Sequence, residues 1–174
     1  MAYLVISTSL KPDSLSRTMA RLALEDLQQC GVDTQWLDLA ETPLPICDAA
    51  DCYSDPNTQD VAALIADAEG ILVATPIYNY SCSAAAKNLV ELTGQNWTGK
   101  VVGFLCAAGG QGSYMAIMGL ANHLMLDFRS VIVPRFVYAQ GEAFSGDGLA
   151  DDDLKSRIKD LAKTLVRFHS ALAE

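Results

Sequence analysis

Residues 70–92, GILVATPIYNYSCSAAAKNLVEL, decide the fold of this chain. Residues 71–75 are almost wholly apolar, as in a strand that is covered on both faces. A turn with a proline follows, and from residue 83 to residue 92 the apolar side chains take helical spacing. A buried strand that leads through a loop into a helix is half of a βαβ unit, so the segment predicts a parallel sheet covered by helices.

The same alternation of strand and helix continues along the rest of the chain. Right-handed crossovers between parallel strands then favour a three-layer, doubly wound α/β fold with five strands in the order 2-1-3-4-5. Residues 40–57, with three prolines, are predicted to form an irregular surface connection, and the glycine-rich residues 141–148 a mobile segment. The predicted strands are residues 3–7, 33–39, 71–75, 100–106 and 130–137, and the predicted helices are residues 14–30, 58–69, 83–92, 113–126 and 151–173.

Composition restricts the class of protein. At 174 residues and 51% apolar composition, the chain is predicted to form one domain, residues 1–174. A net charge of -9 argues against nucleic acid or an anionic membrane as a partner. The first apolar run stops at Ser7, too short for a signal peptide, so we expect a soluble, cytoplasmic protein. Five cysteines without CxxC spacing predict free thiols rather than a disulfide framework or a zinc site.

The loop after the first strand has the composition of a phosphate site. In doubly wound sheets, ligands bind beyond the carboxyl ends of the strands, where the strand order reverses. Residues 7–17, STSLKPDSLSR, are dense in hydroxyls and run straight into a helix, whose positive N-terminus attracts phosphate. The loop lacks GxxxxGK[ST] and GxGxxG, which favours a mononucleotide. The alternative is that its serines only cap the helix.

Two further loops are unusual at the predicted carboxyl edge. Residues 75–83, TPIYNYSCS, place two tyrosines and a proline on an exposed turn, which suits a wall for a flat heterocycle. Residues 106–113, CAAGGQGS, contain three glycines that allow the main chain to approach a ligand closely. Each loop alone also fits an ordinary turn. All three follow neighbouring strands, so we expect them to converge on one crevice.

At these loops the chain resembles the NADPH-dependent FMN reductase family, a flavodoxin-like group that includes azo- and quinone-reductases. The family has one sequence pattern at each of the three loops, and the pattern of the second loop is the most specific. The first is matched by Ser7, Ser9, Lys11, Ser14, Ser16 and Ala20; the second by Pro76, Tyr78, Asn79, Ser81, Lys87 and Asn88; and the third by Gly109, Gly110 and Gly112.

The resemblance implies a flavodoxin-like domain with bound FMN that passes electrons from NADPH or NADH to a flavin, quinone or azo acceptor. It also implies a homodimer or homotetramer, and it requires no catalytic side chain. The FMN residues that it implies are Ser9, Lys11, Ser14, Leu15 and Ser16 for the phosphate, Pro76, Ile77, Tyr78, Asn79, Tyr80 and Ser81 for the ring, and Gly109, Gly110 and Gln111 for the other edge of the ring.

Two other functions fit the same residues. One is a non-enzymatic electron carrier with this fold and cofactor, for which the acidic surface would suit a basic partner. The other is a flavodoxin-like domain that binds no cofactor.

Overall fold

The computed structural model describes residues 2–146 and 148–173. The strands are β1 (Ala2–Ser7), β2 (Thr34–Asp38), β3 (Ala68–Tyr78), β4 (Ser81–Cys82), β5 (Val101–Ala108), β6 (Val131–Ile132), β7 (Val137–Gln140), β8 (Phe144–Ser145) and β9 (Gly148–Leu149). The α-helices are α1 (Leu15–Gln29), α2 (Pro56–Asp67), α3 (Ala84–Thr93), α4 (Met118–Phe128) and α5 (Asp152–Leu172). Single 3₁₀ turns lie at Asp51–Ser54, Gly94–Trp97, Gln111–Ser113 and Gly141–Ala143.

The main sheet is parallel and has the predicted strand order. Strands β2, β1, β3 and β5 are neighbours in that order, and β6 and β7 pair with the two ends of β5. Because β6 and β7 together occupy the place of a fifth strand, the order 2-1-3-4-5 is confirmed. Strand β4 adds a short antiparallel hairpin to the end of β3.

Helices cover both faces of this sheet and produce three layers. On one face, α2, α3 and α4 pack with strand residues such as Leu4 and Ile6. On the other face, α1 and α5 pack with the alternate residues, such as Tyr3 and Val5. Burial on both faces explains why the strands are apolar throughout. Among the described helices, none is long and apolar enough to cross a membrane.

The fifth strand was predicted wrongly as one run, residues 130–137. Pro134 lacks a backbone N–H, and Arg135 has a left-handed φ of 63°, so the chain leaves the sheet between β6 and β7. The strand then resumes and ends at Gln140, three residues beyond the predicted end.

Other boundaries also differ from the prediction: β3 spans Ala68–Tyr78 rather than residues 71–75, and α2 spans Pro56–Asp67 rather than residues 58–69. The fourth helix begins at Met118 rather than residue 113, because the glycine-rich turn before it closes as 3₁₀ structure and no side chain caps the helix. The segment 141–148 carries a 3₁₀ turn and the β8–β9 hairpin, and Ala143 O accepts from Ala150 N and Asp151 N. Residue 147 of this segment lies outside the described residues.

Candidate functional site

A cleft lies at the carboxyl edge of the parallel sheet, where the three predicted loops meet. Its volume is about 660 Å³, within the roughly 300–1,000 Å³ that small-molecule sites occupy. The strands that end there are β1, β3, β5 and β7. The lining residues are Ser9, Lys11, Asp13, Ser14, Leu15, Ser16, Pro76, Ile77, Tyr78, Asn79, Ala107, Ala108, Gly109, Gly141 and Glu142.

Ten of the fourteen residues implied by the resemblance line this cleft, and Tyr80, Ser81, Gly110 and Gln111 do not. Gly110 and Gln111, the two residues after Gly109, contact β7 rather than line the cleft. The Tyr138 hydroxyl donates to Gly110 O, and the Gln140 carboxamide donates to Gln111 Oε1. These contacts hold that part of the glycine-rich turn against β7.

The start of α1 forms one end of the cleft and presents free donors. The side chains of Ser9, Ser14 and Ser16 are almost fully buried there, and Ser14 Oγ lies 3.0 Å from Ser16 Oγ. Ser14 caps the helix by accepting from Arg17 N at 3.2 Å. Within the described part of the chain, the N–H groups of Leu15 and Ser16 have no acceptor. Two unpaired N–H groups at the positive end of a helix dipole form a site for an anion.

Arg17 holds the loop that leads into this helix. Its guanidinium donates to Ser9 O at 2.8 Å, and to Lys11 O and Pro12 O at 2.7 Å each. It also forms a two-pronged ion pair with Asp38, whose side chain is 1% exposed. Because three carbonyls point at Arg17, the conformation of the loop depends on this one side chain.

The β3–β4 hairpin forms the opposite wall of the cleft. Its two-residue turn has left-handed φ angles of 49° at Asn79 and 62° at Tyr80, as in a type I′ turn. A tyrosine is uncommon in this conformation, and such residues concentrate at functional sites. The turn leaves the side chains of Tyr78 and Tyr80 54% and 58% exposed. Aromatic and main-chain surface is therefore available to a flat ligand.

A buried hydroxyl cluster joins the first two loops beneath the cleft. Ser83 Oγ lies 3.2 Å from Thr8 Oγ1 and 3.4 Å from Thr75 Oγ1, and it also donates to Thr8 O. Ser83 caps α3, accepting from Ala86 N at 3.2 Å. One serine thus connects the loop that enters α1 with the end of β3 and the start of α3.

Five lining residues lie outside the set that the resemblance implies, and three of them belong to the loops 7–17 and 106–113. Two others, Gly141 and Glu142, directly follow β7. Ligands bind at the ends of strands in such sheets, so a correct prediction that this strand ends at Gln140 would have identified both residues. Among the described residues that line the cleft, Lys11 is the single cation, against two carboxylates. The five are Asp13, Ala107, Ala108, Gly141 and Glu142.

Comparisons with known proteins identify the family of the chain. An NAD(P)H-dependent FAD/FMN reductase of Geobacillus thermodenitrificans is 32% identical over 144 residues, covering 81% of this chain and 78% of that protein. A probable NADPH:quinone oxidoreductase 2 of Oryza sativa is 27% identical over 94% of this chain and 86% of the relative. The solved structure of FerB, a flavoenzyme NAD(P)H:(acceptor) oxidoreductase from Paracoccus denitrificans, has a TM-score of 0.78 at 21% identity and covers 98% of both chains.

These findings confirm the predicted flavodoxin-like fold class and the prediction of an FMN-dependent NAD(P)H oxidoreductase. A model of the family described as NADPH-dependent FMN reductase matches residues 1–144. The chain belongs to the NADPH-dependent FMN reductase family.

Proposed function

We propose that the cleft binds one FMN, with its phosphate at the start of α1 and its ring against residues 76–79. The observation that carries the proposal is the pairing, in one cleft, of two free N–H groups beside buried serine hydroxyls with the β3–β4 hairpin, whose residues 76–79 line the cleft. The first feature fits a phosphate and the second fits a flat ring. Bound FMN would supply the redox chemistry, and the protein supplies binding, orientation and electrostatics.

Different lining residues would contact different parts of FMN. Lys11 and the α1 dipole offset the charge of the phosphate. At Gly109 an added Cβ would meet no atom within 4 Å, so the main chain there is open to the edge of a ring. Among the described lining residues there is no histidine or cysteine, and we propose no catalytic side chain. The nicotinamide donor and a quinone, azo or flavin acceptor would use the open side beside the tyrosines.

The decisive experiment combines an absorption spectrum of the purified protein with steady-state oxidation of NADPH and NADH in the presence of a quinone, an azo dye or free FMN. We expect flavin absorption and turnover with at least one acceptor. Bound FMN without turnover would instead identify an electron carrier. A colourless protein whose melting temperature is unchanged by added FMN would contradict the proposal.

Asp13 places a carboxylate in the cleft beside the proposed phosphate position. Replacing Asp13 with asparagine is expected to tighten FMN binding about fivefold, because a nearby unit charge contributes about 1 kcal/mol in a solvated site. Quenching of FMN fluorescence measures this affinity. Lys11→Ala should have the opposite effect of similar size, and both effects should shrink in high salt. Unchanged affinity in both variants would exclude a phosphate at this end.

We also propose a homodimer or homotetramer. An apolar groove of about 420 Å³ borders the phosphate loop, where Leu10 is 63% exposed and Ile46 is 80% exposed. Ile46→Glu is expected to shift the protein toward the monomer in sedimentation velocity, since a buried charge would oppose association. Leu126 on α4 is 82% exposed but lies outside the groove, so Leu126→Glu is the matched control. Equal effects of both variants would contradict an interface at the groove.

A further inference from the structure

We propose that Cys47 and Cys52 form a reversible disulfide when the protein meets hydrogen peroxide. Both lie on the connection between β2 and α2, and their Sγ atoms are 4.0 Å apart as free thiols. A disulfide requires about 2 Å between the sulfurs, so the two must approach by roughly a further 2 Å. The proposal concerns a modification site outside the FMN cleft, and it does not depend on the proposed function.

The connection is held so that the two sulfurs face one another. The Asn88 carboxamide on α3 accepts from Cys47 N at 2.9 Å and donates to Pro45 O at 2.9 Å. This pair of bonds fixes the first cysteine to a helix. The Asn88 amide uses both its donor and its acceptor on this segment. The backbone at Cys47 is therefore held in place, although the segment around it is irregular.

The second cysteine is fixed by a turn. Asp48 Oδ1 accepts from Ala50 N at 2.9 Å and from Cys52 N at 3.2 Å. Ala49 has a left-handed φ of 59°, which turns the chain back on itself. Cys52 is the second residue of the Asp51–Ser54 3₁₀ turn, and its side chain is 4% exposed. The turn therefore brings a buried thiol back to the partly exposed Cys47.

The surroundings give the two thiols different roles. The Tyr53 hydroxyl lies 3.7 Å from Cys47 Sγ and can donate a hydrogen bond to a thiolate there. Burial, together with the Asp48 carboxylate, raises the pKa of the Cys52 thiol. Cys47 is thus the accessible thiol that meets the oxidant, and Cys52 is the thiol that resolves the product.

The reaction has two balanced steps. The Cys47 thiolate attacks one oxygen of hydrogen peroxide, which breaks the O–O bond and gives a sulfenic acid and hydroxide. The Cys52 sulfur then attacks the Cys47 sulfur, and hydroxide leaves with the Cys52 proton as water. Two thiols have lost two electrons to the peroxide, and a dithiol reductant reverses the change.

The wild-type protein provides the first test. After treatment with hydrogen peroxide and alkylation, cleavage after glutamate residues releases peptide 42–69, which contains Cys47 and Cys52 and no other cysteine. We expect this peptide to be lighter by two hydrogen atoms and to carry no alkyl group, and dithiothreitol to restore two alkylation sites. If peptide 42–69 still takes two alkyl groups at a peroxide concentration that already oxidises Cys30 or Cys82, the proposal is wrong.

Variants separate the roles of the two cysteines. In Cys52→Ser, dimedone should trap a sulfenic acid on Cys47, whereas Cys47→Ser should leave Cys52 reduced under the same conditions. Tyr53→Phe should slow disulfide formation several-fold. The matched control Cys82→Ser removes a different partly buried thiol and should form the disulfide at the wild-type rate. Dimedone labelling of Cys52 instead of Cys47 would contradict the assigned order of attack.

Discussion

The double variant Ser14→Ala, Ser16→Ala is expected to bind FMN at least about 100-fold more weakly than the wild-type protein and to lose its yellow colour during purification. Both hydroxyls are buried at the end of the cleft where the start of α1 presents its free N–H groups. A hydrogen bond to a charged group contributes about 1.5–3 kcal/mol, so losing two costs at least about 3 kcal/mol. Since each 1.4 kcal/mol is a factor of ten, the lower bound is roughly 100-fold.

The measurement is the dissociation constant of FMN from fluorescence quenching, together with the melting temperature. Ser14 also caps α1, and loss of a cap costs about 0.5–2 kcal/mol of stability by itself. Asp55→Ala removes the cap of α2, which accepts from Thr58 N at 3.0 Å and lies outside the cleft. The control should therefore lower the melting temperature by a similar amount and leave FMN affinity unchanged. Wild-type affinity in the double variant would refute the phosphate position.

The features that could be predicted from the sequence are those that depend on the pattern of apolar and polar residues within a short segment. A strand buried on both faces needs apolar residues at every position, so residues 71–75 and 100–106 are visible without knowledge of the partners. Strand order then follows from the handedness of crossovers, and the three loops must meet because their strands are neighbours. This is why most of the implied cleft residues line one cavity.

Features that depend on contacts between distant residues could not be predicted. Asp38 reaches Arg17 because β2 pairs with β1 in a register that sets Asp38 opposite Ser7. Sequence gives no indication of that register. The path of the glycine-rich turn likewise depends on Tyr138 and Gln140, which stand about thirty residues later in the chain. The break between β6 and β7 had a local signal in Pro134, but the apolar residues around it favoured a continuous strand.

Arg17→Ala is expected to destabilise the protein by about 3–5 kcal/mol, because it leaves the buried Asp38 carboxylate without its partner. For a chain of this length each kcal/mol lowers Tm by about 2–4 °C, so a fall of about 10 °C is expected. The control is Arg21→Ala, one turn further along α1, whose guanidinium lies 3.7 Å from the ring centroid of Trp36. An exposed cation–π contact contributes only about 0.5–1 kcal/mol, so this variant should melt within a few degrees of the wild type.

A double variant tests whether Arg17 positions the proposed FMN site as well as neutralising Asp38. In the double variant Arg17→Met, Asp38→Leu no buried charge is left unpaired, and much of the lost stability should return. The carbonyls of Ser9, Lys11 and Pro12 still lack their common donor, so FMN affinity should stay low although Tm recovers. Recovery of FMN affinity together with Tm would show that the arginine serves only the ion pair. Because the loop forms the proposed phosphate end of the cleft, we expect stability and affinity to separate in this variant.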